Sequence, residues 1–308
     1  MATVAFVFPG QGSQYVGMGK DLYEHSPSAR ALFQSADDIL GFPLSKICFE
    51  GPEEELRQTR NTQPAIFLHS MALAAEPENL TPAMVAGHSL GEYSALVAAG
   101  VLSFENGLKL VRLRGELMQS AGELKRGTMA AVVGLEPGII ESICAEASAT
   151  GIVQQANVNA PGQIVISGSV DGVHRAMDLA KQRGAKLVKE LVVSGAFHSP
   201  LMDSARAGLK SALDKVDLRD ARIPVYSNVT AEPAVRSTEV RELLYRQVTS
   251  PVRWEQSVRN MVRDGTRIFY EVGPGKVLQG LIKRTDPAVQ VGGFDKHSDL
   301  TTPASQHA

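Results

Sequence analysis

The run Gly87-His88-Ser89-Leu90-Gly91 places a hydroxyl between glycines two residues away on either side. That spacing is what a sharp strand-to-helix turn requires, because only residues without a Cβ let the backbone close around the central serine. On such a turn the Ser89 hydroxyl stands exposed at the positive end of a helix. The N–H of the next residue, Leu90, points to where an oxyanion would form. The pattern is short and common. Here the apolar run Ala83–Ala86 precedes it and the helical composition of Gly91–Ala99 follows, stopping at Gly100. This is the context in which the motif exposes a nucleophile.

A serine nucleophile needs a base, and histidine is the usual one. The chain has seven histidines. His297 and His307 lie in a polar C-terminal stretch, and His25 and His174 sit among surface-type residues. His69 falls in an apolar helix, where a satisfied core histidine is expected, and the His88 side chain should point away from that of Ser89. There remains His198, in Ser194-Gly195-Ala196-Phe197-His198-Ser199, where a strand ends and a helix is about to begin. Loops at the carboxyl ends of strands are where open α/β sheets carry chemistry. Position alone does not decide the matter. By itself Arg114 reads as a solvated helix arginine like Arg112, and Phe197 as a packing residue.

The elements that must hold these residues follow two rhythms. Thr3–Phe8, closed by Pro9-Gly10, reads as a buried parallel strand, and Gln11–Gln14 as a tight polar loop. Helices are expected over Ser26–Leu40, over Pro64–Ala75 with proline in its first turn, and over Asn106–Ala121. From Gly127 to Ser194 the order is strand Thr128–Gly134, helix Pro137–Ala147, strands Ile152–Asn157 and Gln163–Ser167, helix Val173–Arg183, and strand Ala185–Val193. This is the βαββαβ pattern of a ferredoxin-like unit. The larger unit then resumes with helix Pro200–Leu213, strand Pro224–Ser227, helices Val240–Val248 and Glu255–Asp264, and strand Arg267–Val272. From Lys296 on, a disordered tail is expected.

Bulk properties narrow the class. The 308 residues are 44% hydrophobic and 21% charged, with a net charge of −2, so neither nucleic acid nor an anionic membrane is expected as the main partner. No stretch reads as a membrane span, and the N-terminus reads as a strand rather than a signal peptide. Two cysteines, Cys48 and Cys144, have no metal-ligand spacing and suggest apolar thiols in a reducing, cytoplasmic setting.

The Gly87-His88-Ser89-Leu90-Gly91 turn (the elbow), the Gly10-Gln11-Gly12-Ser13-Gln14 loop and Ala196-Phe197-His198-Ser199 together resemble the malonyl-CoA:acyl carrier protein transacylases, a family that includes the discrete acyltransferases of polyketide assembly lines. The likeness runs from about Thr3 to Asp295. It takes in Asn61-Thr62-Gln63-Pro64-Ala65, Gly91-Glu92-Tyr93-Ser94-Ala95, Arg114-Gly115-Glu116-Leu117-Met118, Asn157-Val158-Asn159-Ala160-Pro161-Gly162-Gln163 and Gln247-Val248-Thr249-Ser250-Pro251-Val252-Arg253-Trp254.

The resemblance implies an α/β-hydrolase-like large subdomain (1–126 and 195–295) with an inserted ferredoxin-like subdomain (127–194) and a tail (296–308). It makes His198 the base for Ser89, with the backbone carbonyl of Gln247 in place of the usual acid. Gln11 and the Leu90 N–H form the oxyanion hole. Arg114 becomes the partner of the free carboxylate of a malonyl group, and Phe197 fills the space that an α-methyl group would need. Malonyl-CoA and the phosphopantetheine form of an acyl carrier protein are the implied partners; no cofactor or metal is implied, and a monomer is expected. Lys181, Arg183, Lys186 and Lys189 offer a basic face for an acidic carrier. A hydrolase clearing carrier proteins, or a non-catalytic docking partner of them, are the rival readings.

Overall fold

The computed structural model describes residues 3–76 and 80–301. Its larger sheet contains β1 (Thr3–Phe8), β2 (Met84–Gly87), β7 (Val225–Tyr226), β8 (Pro233–Ala234), β9 (Thr266–Val272) and β10 (Gln290–Phe294). A second sheet contains β3 (Gly127–Val133), β4 (Val153–Ala160), β5 (Gln163–Ser169) and β6 (Leu187–Glu190).

In the larger sheet the order is β10-β9-β1-β2-β7-β8. The β10–β9, β9–β1, β1–β2 and β2–β7 pairs are parallel, and β8 closes the edge antiparallel to β7. Central β1 is apolar on both faces: Phe6 and Phe8 join the core that includes Phe33, Phe67 and Val85, while Ala5 and Val7 face Trp254, Met261 and Phe269. A strand covered on both sides needs this continuous apolar run rather than alternation. Because these strands are parallel, the carboxyl ends of β1, β2 and β7 meet along one edge.

The second sheet is antiparallel, in the order β4-β5-β3-β6, with helices Pro137–Ala147 and Val170–Gln182 inserted in the order βαββαβ. Its own core packs Ala130, Val132, Ile164 and Ile166 against Ile140, Ile143, Val173 and Ala176. Strand β4 is tied to the segment just before helix Trp254–Arg263, where Val158 N–H donates to the Val252 carbonyl (2.9 Å) and Val252 N–H to that of Ala156 (2.8 Å).

Several elements differ from expectation. The helix expected from Pro64 begins five residues earlier and runs Thr59–Ala74 with Pro64 inside it. The strand expected over Ala185–Val193 is confined to β6; it pairs with β3 alone, and Leu191–Ser194 turn to line a cleft. Strand β10 was not legible, since Gly292-Gly293 carries little strand propensity. In the stretch expected to be disordered, His297–Thr301 form a short helix whose Asp299 carboxylate accepts from the N–H groups of Asp295 and Lys296 (both 2.9 Å). The rest of that tail, 302–308, lies outside the described residues. Among the described residues no helix is long and apolar enough to cross a membrane.

Candidate active site

Ser89 lies just beyond β2, at the head of helix Gly91–Ala98, with φ +52°. A left-handed non-glycine residue is strained, and such strain persists only where the surroundings over-determine it. The flanking glycines make the turn possible. A Cβ on Gly87 would overlap the main-chain carbonyl of Gly91, and a Cβ on Gly91 would overlap the carbonyl oxygen of Phe8. Gly10 permits a third close approach, since a Cβ there would stand 2.6 Å from the His88 carbonyl oxygen. The loop after β1 is thereby pressed against the elbow.

The Ser89 backbone is held from both sides. Its N–H donates to Asn228 Oδ1 (2.6 Å), and its carbonyl accepts from Gln247 Nε2 (2.9 Å). Asn228 Nδ2 also donates to the Gly87 carbonyl at 2.7 Å. Asn228 follows β7, so the carboxyl ends of two neighbouring strands meet at this turn.

His198 is 3% exposed and itself has φ +57°. Its Nε2 lies 2.8 Å from Ser89 Oγ, and its Nδ1 lies 2.9 Å from the Gln247 carbonyl and 3.1 Å from that of Ser250. Carbonyl oxygens only accept, so the ring proton sits on Nδ1 and the Nε2 lone pair faces the serine hydroxyl. The His198 carbonyl accepts from Gln154 Nε2 at 2.6 Å, which ties this loop to β4. Burial, reinforced by the positive charge of Arg114, pushes the imidazole down to about 3, against the opposing bond to Gln247. His198 is therefore neutral, and free to accept a proton, over the physiological range.

Arg114 is not solvated as its type suggested: it is 1% exposed. Helix Phe104–Leu124 carries it beneath the elbow. Nη2 donates to Ser89 Oγ (3.0 Å) and to Gln247 Oε1 (3.1 Å), Nη1 donates to Gln63 Oε1 (2.8 Å), and the guanidinium lies over the Tyr93 ring, 5.7 Å from its centroid. Each of these hydrogen bonds runs from the guanidinium to a neutral acceptor. A buried cation held this way retains strong affinity for a carboxylate.

Ser89, His198, Arg114, Leu90, Gln11, Gln63 and Phe197 all line one cleft of about 700 Å³. Leu90 heads a helix, and the first N–H groups of a helix have no intrahelical acceptor. The Gln11 side chain turns to Thr59 Oγ1 (3.4 Å), so what this residue can offer an oxyanion is its main-chain N–H. Phe197, 7% exposed, forms part of the wall beside His198.

The remaining histidines separate as expected where they are described. His69 is fully buried and bonded to the Asp295 carbonyl (2.9 Å), while His25 and His174 are exposed. His88 turns from Ser89 to Asn159 Oδ1 at 2.9 Å. Sequence reasoning assigned no role to Glu92, Asn228, Gln63 or Gln154. The one signal for Glu92 is a carboxylate in an otherwise apolar helix; Asn228 gives none.

Residues 5–293 match the acyl transferase domain family, and the chain belongs to it. It is 48% identical over 289 residues to the malonyl CoA-acyl carrier protein transacylase of Bacillus subtilis, covering 93% of this chain and 91% of that one. With the protein of that name from Staphylococcus aureus it shares 42% over 301 residues, 97% and 98% of the two chains. Among solved structures, the malonyl CoA-acyl carrier protein transacylase of Coxiella burnetii superposes with TM-score 0.96 at 38% identity, over 99% and 98% of the chains. A malonyl-transacylase solved in complex with a type II polyketide synthase acyl-carrier protein gives 0.94 at 39%, over 99% and 100%.

Proposed function

We propose that this chain transfers a malonyl group from malonyl-CoA to the phosphopantetheine thiol of an acyl carrier protein, through a malonyl ester of Ser89. The observation that carries this reading is the placing of one hydroxyl between a base and a cation: Ser89 Oγ lies 2.8 Å from His198 Nε2 and 3.0 Å from Arg114 Nη2. The names of its relatives support the same substrates.

His198 Nε2 takes the Ser89 proton as Oγ attacks the thioester carbonyl. The oxyanion is stabilised by the N–H groups of Leu90 and Gln11, each such donor contributing about 3–4 kcal/mol in the transition state. The carbon–sulfur bond breaks, and His198 returns the proton to the coenzyme A thiolate. In the second half the carrier's thiol gives its proton to His198 and attacks the ester; the carbon–Oγ bond breaks and Ser89 recovers its proton. The Gln247 carbonyl holds the imidazole throughout, and no side-chain acid is required.

Arg114 selects the acyl group. The malonyl carboxylate stands one methylene beyond the ester carbonyl, within reach of a guanidinium that already touches Oγ. An acetyl group leaves that cation with neutral partners only. Phe197 walls the cleft where an α-methyl branch would lie.

In architecture we read 1–126 and 195–295 as an α/β-hydrolase-like subdomain and 127–194 as a ferredoxin-like insertion. The parallel sheet with its elbow after β2 and the βαββαβ order support this. The free, buried state of Cys48 and Cys144 is consistent with action in the cytoplasm.

The test is transfer itself. With malonyl-CoA and holo carrier protein, malonyl-carrier should form, and little malonate should appear when the carrier is left out. Malonate released at the same rate with or without carrier would instead make the protein a hydrolase.

A further inference from the structure

We infer that Glu92 is a positioning residue for acyl transfer, holding the Ser89 backbone and the Arg114 guanidinium in register through Gln247 and Asn228. This rests on the acyl-transfer reading above. Glu92 lies in the first turn of helix Gly91–Ala98, 2% exposed, and is not among the residues that line the cleft. A single oxygen, Oε2, accepts from Gln247 Nε2 (2.8 Å) and from the Asn228 N–H (3.0 Å).

Those two residues are the ones that fix the elbow. Gln247 Nε2 also donates to the Ser89 carbonyl, and Asn228 Oδ1 accepts the Ser89 N–H. Glu92 also decides which way the Gln247 amide faces. With its NH₂ on the carboxylate and the Ser89 carbonyl, its Oε1 must face the Arg114 donor. Turned over, the amide would set oxygen against both acceptors and NH₂ against the guanidinium, three repulsive contacts in place of three bonds. One buried carboxylate oxygen thus aligns the nucleophile's backbone and the cation that selects the acyl group.

The role depends on an acceptor at the right reach rather than on charge. Burial pushes the Glu92 carboxyl up to about 7, against the Asn228 N–H, the Gln247 amide and the Arg114 charge, which favour ionisation. A proton taken on the other oxygen leaves Oε2 still accepting.

The experiment compares wild type with Glu92→Ala, Glu92→Gln and Glu92→Asp, measuring acyl-enzyme formation from malonyl-CoA and from acetyl-CoA by rapid quench and intact mass. Glu92→Ala should slow malonylation about a hundredfold and lower the malonyl-to-acetyl rate ratio at least about tenfold, because acetyl transfer does not use Arg114. Glu92→Gln, which keeps the acceptor, should stay within about threefold of wild type on both measures. Glu92→Asp, which keeps the charge but is one methylene short, should fall with Ala. An unchanged ratio in a folded Glu92→Ala protein overturns the inference. So does the reverse order, Asp active and Gln inactive, and that pair decides alone if the alanine variant does not fold. Wild-type protein that forms no malonyl-enzyme would sink the underlying reading instead.

Discussion

Arg114 Nη2 donates to Ser89 Oγ at 3.0 Å, so a buried guanidinium stands beside the very atom that would carry an acyl group. It has two opposed effects. It depresses the basicity of His198, and under the proposed function it would favour a substrate that brings its own negative charge. Binding such a substrate neutralises the cation and gives the base back some of its strength.

Arg114→Ala should therefore change selectivity more than it changes the chemistry. A carboxylate held by two charge-assisted hydrogen bonds is worth about 3 kcal/mol or more, roughly a hundredfold in relative rate. The malonyl-to-acetyl ratio of kcat/KM, measured in steady-state transfer, should fall by about that factor. A ratio that does not move would refute the clamp.

The depressed His198 fixes a pH dependence. The free protein keeps this base neutral down to about 3, so the acid limb of kcat/KM should lie below about pH 5 rather than near 6.5. Removing the Arg114 charge raises the imidazole, so Arg114→Ala should move that limb upward. Stability follows the same proton. Between about 6.5 and 3 the unfolded chain binds it and the folded one does not, so this group lowers stability as pH falls through that window. A pH–rate profile and denaturant melts across the window check both.

Gly87→Ala tests the turn. Its Cβ would overlap the Gly91 main chain, where no side chain can give way. A loss of about 3 kcal/mol or more in urea unfolding is expected. A variant within about 1 kcal/mol of wild type would show that the elbow relaxes easily.

Phe197→Ala should open the wall beside His198 and raise the use of methylmalonyl-CoA relative to malonyl-CoA. One methyl group is worth about 1–3 kcal/mol, so a tenfold or larger gain in the kcat/KM ratio is expected. No gain would make Phe197 a packing residue only.

Charge reversal at Lys186 and Lys189 should raise KM for the carrier protein several-fold at low salt, leaving the malonyl-CoA half-reaction unchanged. The basic face is weaker than the sequence suggested, since Arg183 is paired with Glu146 at 2.6 Å and Lys181 with Asp178 at 3.3 Å. An unaltered KM would place docking elsewhere.

What could be read beforehand divides along one physical line. The elbow was legible because glycine at both flanks answers a local steric demand, and the parallel strands because burial on two faces leaves an apolar run. Position singled out His198 without deciding it, and family resemblance made it the base. Arg114 looked solvated, because nothing local distinguishes a buried guanidinium from an exposed one; its partners Gln63 and Gln247 lie 51 and 133 residues away. Asn228 and Glu92 were missed for the same reason. Their work is to satisfy backbone groups of a distant turn, a demand that exists only once the chain has folded. Pro64 misled in the other direction, marking a helix start where the helix had already formed its first turn.

The central claim is that Ser89 carries the acyl group, and intact mass spectrometry after brief incubation with malonyl-CoA tests it most directly. The wild-type chain should gain the mass of one malonyl group, lost again on adding holo carrier protein, and Ser89→Ala should gain nothing. A malonylated Ser89→Ala protein, or a wild-type adduct that the carrier thiol cannot remove, would contradict the account.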